Sequence, residues 1–237
     1  VSISADALEA CAERGIPVFF LDSLGRCYAS LYAAGLTGTV LTRRAQLLAY
    51  QDERGTALTL AIAEGKIRNQ AATLKYLAKT RKESNPDAYQ ELQLCAGEVL
   101  DTIAGLDRLP REQPIDELRE RILAAEGEAA RRYWSAVGAI LPAQYAWPGR
   151  QGRGATDPLN SLLNYGYGIL YSRIEQAVVL AGLDPYAGFL HADRPGKPSL
   201  VLDLIEEFRQ VAIDRVVFGL ANRDFKVEQD AKGLLVS

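Results

Sequence analysis

From Leu41 onward, apolar residues recur at three- and four-residue spacing through most of the chain, in a background of Ala, Leu, Glu, Arg and Lys. That period marks one face of an α-helix, so the greater part of this protein can build a core only by packing helices together. The spacing predicts helices over 41–53, 56–81, 86–107, 115–140, 158–181 and 199–222. Some boundaries carry their own chemistry. Asp157 supplies an N-cap oxygen ahead of Pro158 at the first helical position, and Gly182 sits where that helix should stop. Pro142, Pro148 and glycines 149, 152 and 154 make a loop between two long helices.

Upstream the pattern differs. Ala5 to Arg14 reads as a short amphipathic helix closed by Gly15. An apolar run, Val18 to Leu21, leads into a turn at Asp22 to Gly25, and Cys27 to Tyr32 can return as a second strand. Gly35, Thr37 and Gly38 mark a linker. Two strands do not make a stable sheet alone, so further N-terminal sequence or a partner is expected to complete this one. The expected class is α+β, predominantly α: residues 1–34 are the end of a truncated N-terminal β domain, 35–40 a linker, and 41–237 a large helical domain. The chain contains no methionine, which suggests that it is cut from something longer.

Overall charge is uninformative at −3, but its distribution is not. Between Arg43 and Lys82 stand nine basic residues against three acidic ones, which leaves the remainder strongly acidic. One segment is therefore a candidate polyanion contact. Cys11, Cys27 and Cys95 are odd in number and show no CxxC pair, which argues against a zinc site or a disulfide framework and for a reducing cytoplasm. No run approaches the roughly 18 apolar residues that cross a bilayer, so no membrane association is expected.

The residues that could carry chemistry are few. His191 is the single histidine and ends the stretch Ala187-Gly188-Phe189-Leu190, which reads as a buried strand or extended segment. Asp203 and Glu206 stand at i, i+3 on a helix rich in Leu, Ile, Val and Phe, so their carboxylates share a side. A solvated face continuing through Glu207 and Gln210 fits the same spacing. Between them and His191, Arg194-Pro195-Gly196-Lys197-Pro198 is a stiff basic turn able to hold a phosphate. Glu126 precedes Gly127, which interrupts a strong helix at a cost of roughly 1 kcal/mol. Either a ligand or backbone approaches Glu126 closely there, or the flanking alanines serve a tight helix crossing. One imidazole with two or three carboxylates is a hard donor set, suited to Mg²⁺ or Mn²⁺ rather than zinc. Such an ion can polarise a phosphodiester and activate an attacking hydroxyl. Arg68, Lys75, Lys79 and Lys82 fall at steps of seven, four and three, one stripe that is either a solvated face or a DNA-backbone contact.

Taken together, these segments resemble a known family. Glu126-Gly127 with Ala129-Ala130 and Tyr133, the helix Asp157-Pro158-Leu159-Asn160 through Tyr171 and Glu175, Gly188-Phe189-Leu190-His191, and Pro198-Ser199-Leu200 with Asp203-Leu204 and Glu206 to Arg209 resemble the CRISPR-associated integrases of spacer acquisition. Ile3-Ser4 to Leu21 resembles the end of that family's β domain, and Arg43-Arg44-Ala45-Gln46 the start of its helical domain. The resemblance implies a prokaryotic, metal-dependent DNA integrase and endonuclease with Glu126, His191 and Glu206 as metal ligands. It adds Asp203 as an assisting acid, and Asn160 and Tyr171 as residues lining the active site. Arg131, Arg132, Arg194 and Lys197 join the basic stripe as expected DNA contacts. Further implications are a homodimer, a small ferredoxin-like partner subunit, and double-stranded or branched DNA as substrate. A structure-selective Mg²⁺ nuclease that never integrates, and a non-catalytic DNA-binding scaffold, are the rival readings.

Overall fold

The computed structural model describes residues 2–21, 27–33, 39–152, 154–223, 225–230 and 235. It opens with α1 (Ala5–Glu13), capped by the Ser4 side chain, and an antiparallel hairpin of β1 (Val18–Leu21) and β2 (Cys27–Leu31). Val18 pairs with Leu31 and Phe20 with Ala29. No residue of α1 is buried, so this small unit has little core of its own. The expected turn at 22–25, and residues 35–38 of the expected linker, lie outside the described residues. Thr39 and Val40, also assigned to that linker, are the first residues of α2 (Thr39–Ala49).

The helical domain is organised around α3 (Glu53–Lys79), which packs against α4 (Pro86–Asp101), α6 (Ile115–Ile140) and α8 (Ser199–Arg209). Ala63, Ile67 and Leu74 of α3 meet Leu92 and Val99 of α4 and Leu118, Ile122 and Tyr133 of α6 in one buried cluster. A short α5 (Ile103–Asp107), α7 (Pro158–Leu180) and α9 (Arg215–Ala221) complete the bundle. Among the described residues, no helix is long and apolar enough to cross a membrane.

Three boundaries differ from the periodicity, each for a local reason. The first predicted helix stops at Ala49 because Asp52 turns its carboxylate onto the Arg54 amide and starts α3. The corner is tight: a Cβ on Gly55 would stand 2.4 Å from the Ala49 carbonyl oxygen. The helix expected over 86–107 breaks at Thr102, whose hydroxyl donates to the Val99 carbonyl at 2.6 Å. The helix expected over 199–222 is helical throughout but passes through a π-turn at Gln210–Asp214. Such a turn admits one extra residue, and here it carries Asp214 into the interior.

The Asp157 cap and Pro158 start α7, and Gly182 follows it in a left-handed conformation (φ 76°), as the sequence predicts.

Candidate active site

Around His191 the structure departs from the expected strand or extended segment, and on the helix that follows it decides between the two readings of the acidic face. Residues 187–191 form neither strand nor ladder but a buried bend. The helix carrying Asp203, Glu206 and Gln210 does not turn that face to solvent: the three residues are 0%, 5% and 2% exposed. The two findings share one cause. The Asp203 carboxylate accepts the backbone N–H groups of Phe189 (2.6 Å), Leu190 (3.0 Å) and His191 (2.9 Å), so the bend wraps around a buried anion. A strand would have directed those amides at another strand. Gly188 permits the wrap, since a Cβ there would lie 2.5 Å from the Ser199 carbonyl carbon and 2.8 Å from Asp203 Oδ2. On the other side, Arg119 of α6 donates from Nε to the Leu190 carbonyl and from Nη2 to the Phe189 carbonyl, both at 3.0 Å. Asp116 and the Tyr50 hydroxyl hold that guanidinium in turn.

The bend fixes the imidazole. His191 Nδ1 lies 2.8 Å from Asp203 Oδ1. A carboxylate can only accept, so Nδ1 donates to it, and in the neutral ring Nε2 is then the nitrogen with a lone pair for an electrophile, the arrangement in which an outer carboxylate orients a metal-binding histidine. Asp203 is thus a positioning residue, with all four of these hydrogen bonds spent on the bend and the ring.

Glu126 and Glu206 meet from α6 and α8 across a residue that the sequence reading did not single out. The ammonium of Lys66, on α3, lies 2.8 Å from Glu206 Oε2 and 3.5 Å from Glu126 Oε2. His191 is close enough to act on the charge of both glutamates. The two acids respond in opposite directions. Burial pushes the Glu126 carboxyl up, and the Lys66 charge at its longer distance does not offset this. Burial would also raise Glu206, but the nearer Lys66 together with Arg209, at 2.5 Å, holds it below the usual glutamate range. Lys66 was legible in principle. It falls in the buried face Ile62, Ala63, Ile67, Ala71 and Leu74 of α3, where a cation needs a partner.

Asn160 stands in the first turn of α7. It is fully buried, and its side chain is used up within the loop before α7, accepting from Arg150 and the Gln151 amide and donating to the Gly149 carbonyl and Asp157. Tyr171 packs with Val178, Phe189 and Leu200 behind the His191 bend. Gly127 has no close-packing role among the described residues, because a Cβ there would meet none of them within 4 Å.

A second buried constellation adjoins the first through Arg209. Asp214 accepts from the Tyr133 hydroxyl at 2.8 Å and from the Tyr167 hydroxyl, while Arg150 and Arg209 lie over the Tyr167 ring at 5.2 and 5.0 Å. Burial pushes Asp214 up to about 6, opposed by the two phenols and the two arginines. An acid whose folded pKa is raised contributes stability that is complete below its unfolded value of 3.8 and is lost as pH rises through about 6. That loss amounts to on the order of 3 kcal/mol. Asp214→Asn, which cannot titrate, is therefore expected to be about 2 kcal/mol less damaging at pH 7.5 than near pH 4. Urea denaturation of both proteins at the two pH values checks this, and an equal penalty at both refutes it.

The basic residues divide by their partners. Arg68 is paired with Glu64, Arg131 with Glu128, and Arg132 with Glu128 and Glu98, so these spend charge inside the chain. Lys75, Lys79 and Lys82 are exposed, with no ion pair among the described residues. The stripe continues into a cleft of about 400 Å³ lined by Tyr76, Thr80, Arg81, Ser84, Asn222 and Arg223. Arg194 is exposed on the turn after His191, where Gly196 adopts φ 72°.

A helical domain that buries two glutamates against one lysine, orients its histidine on an aspartate and exposes three lysines with no ion pair among the described residues has the equipment of a nucleic-acid-processing enzyme. A family model described as "CRISPR associated protein Cas1" matches residues 1–233, and the chain belongs to that family. It is 43% identical to CRISPR-associated endonuclease Cas1 1 of Archaeoglobus fulgidus over 99% of this chain and 70% of that protein. Against the protein of the same name from Francisella tularensis subsp. novicida it is 37% identical, over 100% of this chain and 71% of the other. Among solved structures, a casposase bound to its integration product superposes with a TM-score of 0.76 at 26% identity, covering 99% of this chain and 62% of that one. A Cas1 protein from Thermotoga maritima shares the fold with a TM-score of 0.75 at 19% identity, over 100% of this chain and 71% of that one.

Proposed function

We propose that this chain is the catalytic part of a metal-dependent DNA integrase and endonuclease of CRISPR adaptation. What supports the reading is that Glu126 and Glu206, from α6 and α8, meet the same Lys66 ammonium in the interior, with His191, oriented by Asp203, near enough to act on the charge of both. The residues fit a hard divalent cation, Mg²⁺ or Mn²⁺. Glu126 Oε1 is a buried carboxylate oxygen with no hydrogen-bond partner among the described residues, and His191 has one ring nitrogen committed to Asp203 and one to offer. As the side chains stand, no three His, Cys, Asp or Glu groups among the described residues are placed to hold an ion, and the Lys66 ammonium contacts both glutamates. Glu126, Glu206 and His191 Nε2 would hold the cation, which when bound supplies charge stabilisation at the phosphodiester and acidifies the attacking hydroxyl.

The chemistry is direct transesterification. A 3′-oxygen of the incoming DNA forms a bond to phosphorus at the edge of a repeat while the P–O bond to the departing 3′-oxygen breaks. That oxygen leaves with a proton, and no bond to the enzyme forms. The protein's share is positioning and electrostatics. Asp203 and Arg119 fix the imidazole, and Arg209 stays beside Glu206 as a cation near the developing charge. Lys75, Lys79 and Lys82 hold DNA by its backbone, indifferent to sequence.

The full assembly is read as a homodimer working with a small ferredoxin-like partner subunit on double-stranded and branched DNA. Exposed Leu41 and Leu48 on α2, and Tyr28 on the hairpin, support a further protein surface covering this end of the chain. One fold relative was solved as a Cas6-RT-Cas1–Cas2 complex.

The test is whether protein with its partner joins a prespacer bearing free 3′ ends to repeat DNA. Joined product, together with an anomalous peak from Mn²⁺-soaked crystals among Glu126, His191 and Glu206, is expected. Cleavage of branched DNA without joining returns the simpler nuclease, and an anomalous peak elsewhere removes the site assignment. For the basic stripe, reversing Lys75 and Lys79 to glutamate is expected to weaken DNA binding and lower the magnitude of the log-affinity against log-salt slope by about 2. An unchanged slope in fluorescence-anisotropy titrations makes the stripe a solvated face.

A further inference from the structure

We propose that Lys66 is a built-in counter-ion that occupies the acid pair Glu126–Glu206 and must withdraw before a divalent cation can be held there, so that Lys66 and the cation compete. The inference rests on the proposed reading of the site as a metal centre and goes beyond it by assigning the resting state of that centre.

The geometry is that of a closed pair. One ammonium, on a side chain only 14% exposed, contacts an oxygen of each glutamate, and those side chains are 5% and 7% exposed. Two carboxylates brought this near one another in the interior repel and lose their hydration, so a positive charge between them is a condition for both being ionised. Lys66 supplies one charge and Arg209 a second, the latter to Glu206 alone. The two glutamates are thereby matched by two cations without any added ion.

A divalent cation in the same place would reverse that balance. Two carboxylates are already matched by its two charges, and an ammonium left within hydrogen-bond reach of both would face a like charge across a few ångströms. Lys66 is suited to withdrawing where an arginine is not. It is a point charge on a flexible stem, with no planar fork locked to one carboxylate geometry. Arg209, by contrast, is held over the Tyr167 ring and by Glu206, so it is the cation that stays. The contacts of Lys66 are also unequal, 3.5 Å to Glu126 against 2.8 Å to Glu206, and Glu126 keeps an unpartnered oxygen. Glu126 is therefore the weaker hold on Lys66 and the open side of the pair.

Mn²⁺ binding is measured by the loss of the free-ion electron paramagnetic resonance signal, with melting temperature as a second readout, on the parent chain and on Lys66→Met and Lys66→Arg. Lys66→Met is expected to bind Mn²⁺ at least tenfold more tightly than the parent. It should melt lower without metal and show a larger rise when Mn²⁺ is added. Lys66→Arg, which keeps the charge, should bind no more tightly than the parent. Equal or weaker binding by Lys66→Met overturns the competition while leaving the metal site intact. Binding by neither protein removes both the competition and the metal reading beneath it. Should Lys66→Met not fold, the parent crystallised with Mn²⁺ decides: Lys66 Nζ beyond hydrogen-bond distance of both glutamates supports the proposal, and Nζ still at its Glu206 contact overturns it.

Discussion

Glu206→Gln and His191→Ala are each expected to cut strand joining by about a thousandfold or more, with DNA affinity close to parental. Both substitutions remove a donor from the proposed metal set, and loss of one such group costs roughly 3–4 kcal/mol of transition-state stabilisation, a factor of about 10² to 10³ before any loss of the cation itself is added. Glu206→Gln preserves shape, but it removes the charge that faces both Lys66 and Arg209, leaving two cations beside a neutral amide. Affinity should hold because the lysines without an ion pair lie on a different face, Lys75 and Lys79 on the exposed side of α3 and Lys82 in the turn after it. Single-turnover joining and anisotropy on the same preparations separate the two effects. Joining at the parental rate by either variant removes the assignment, and parallel loss of joining and affinity would instead make the cluster part of the DNA contact.

How much of this was legible in the sequence depends on whether the signal was local. Helix spacing located nearly all of the bundle, and the Asp157 cap with Pro158 placed one helix start to the residue, because those effects act within a turn. The break at Thr102 and the π-turn at Gln210–Asp214 were missed, since a helix interruption of this kind leaves the apolar period almost unchanged. At the site, the i, i+3 spacing put Asp203 and Glu206 on one side, yet it could not separate a solvated face from a buried one. That decision belongs to residues far away, the bend at 187–191 that covers Asp203 and the α3 lysine that meets Glu206. Lys66 itself stood inside a stretch counted only for its net charge. Its place in the apolar face of α3 was the better signal, because a buried cation demands an anion and so predicts a partner. The network of Tyr133, Tyr167 and Asp214 left no such trace, as the π-turn moves Asp214 out of register with the helix before it.

The bend also makes Asp203 the position where structure and chemistry fail together. Asp203→Ala removes the acceptor of three buried or part-buried backbone amides and of the His191 ring. Unmade hydrogen bonds of this kind cost about 1–3 kcal/mol each when no water replaces them, and local relaxation recovers part, so a net loss of roughly 3–5 kcal/mol is expected. For a chain of this length that corresponds to a fall in melting temperature of about 10 °C. Asp203→Asn separates packing from charge. It keeps the side-chain volume but offers only one acceptor oxygen where two are used, and turns an amide N–H toward donors, so it should retain only part of the lost stability. Asp203→Ala deprives the imidazole of the acceptor that holds the Nδ1 proton, and in Asp203→Asn one oxygen cannot serve both the amides and the ring, so joining should fall even at temperatures where the protein remains folded. Calorimetry with nitrogen-resolved NMR of the histidine ring tests both halves of the claim. A parental melting temperature for Asp203→Ala, or an unchanged Nδ1–H tautomer in Asp203→Asn, would show that the bend stands without its anion and that His191 is positioned by something else.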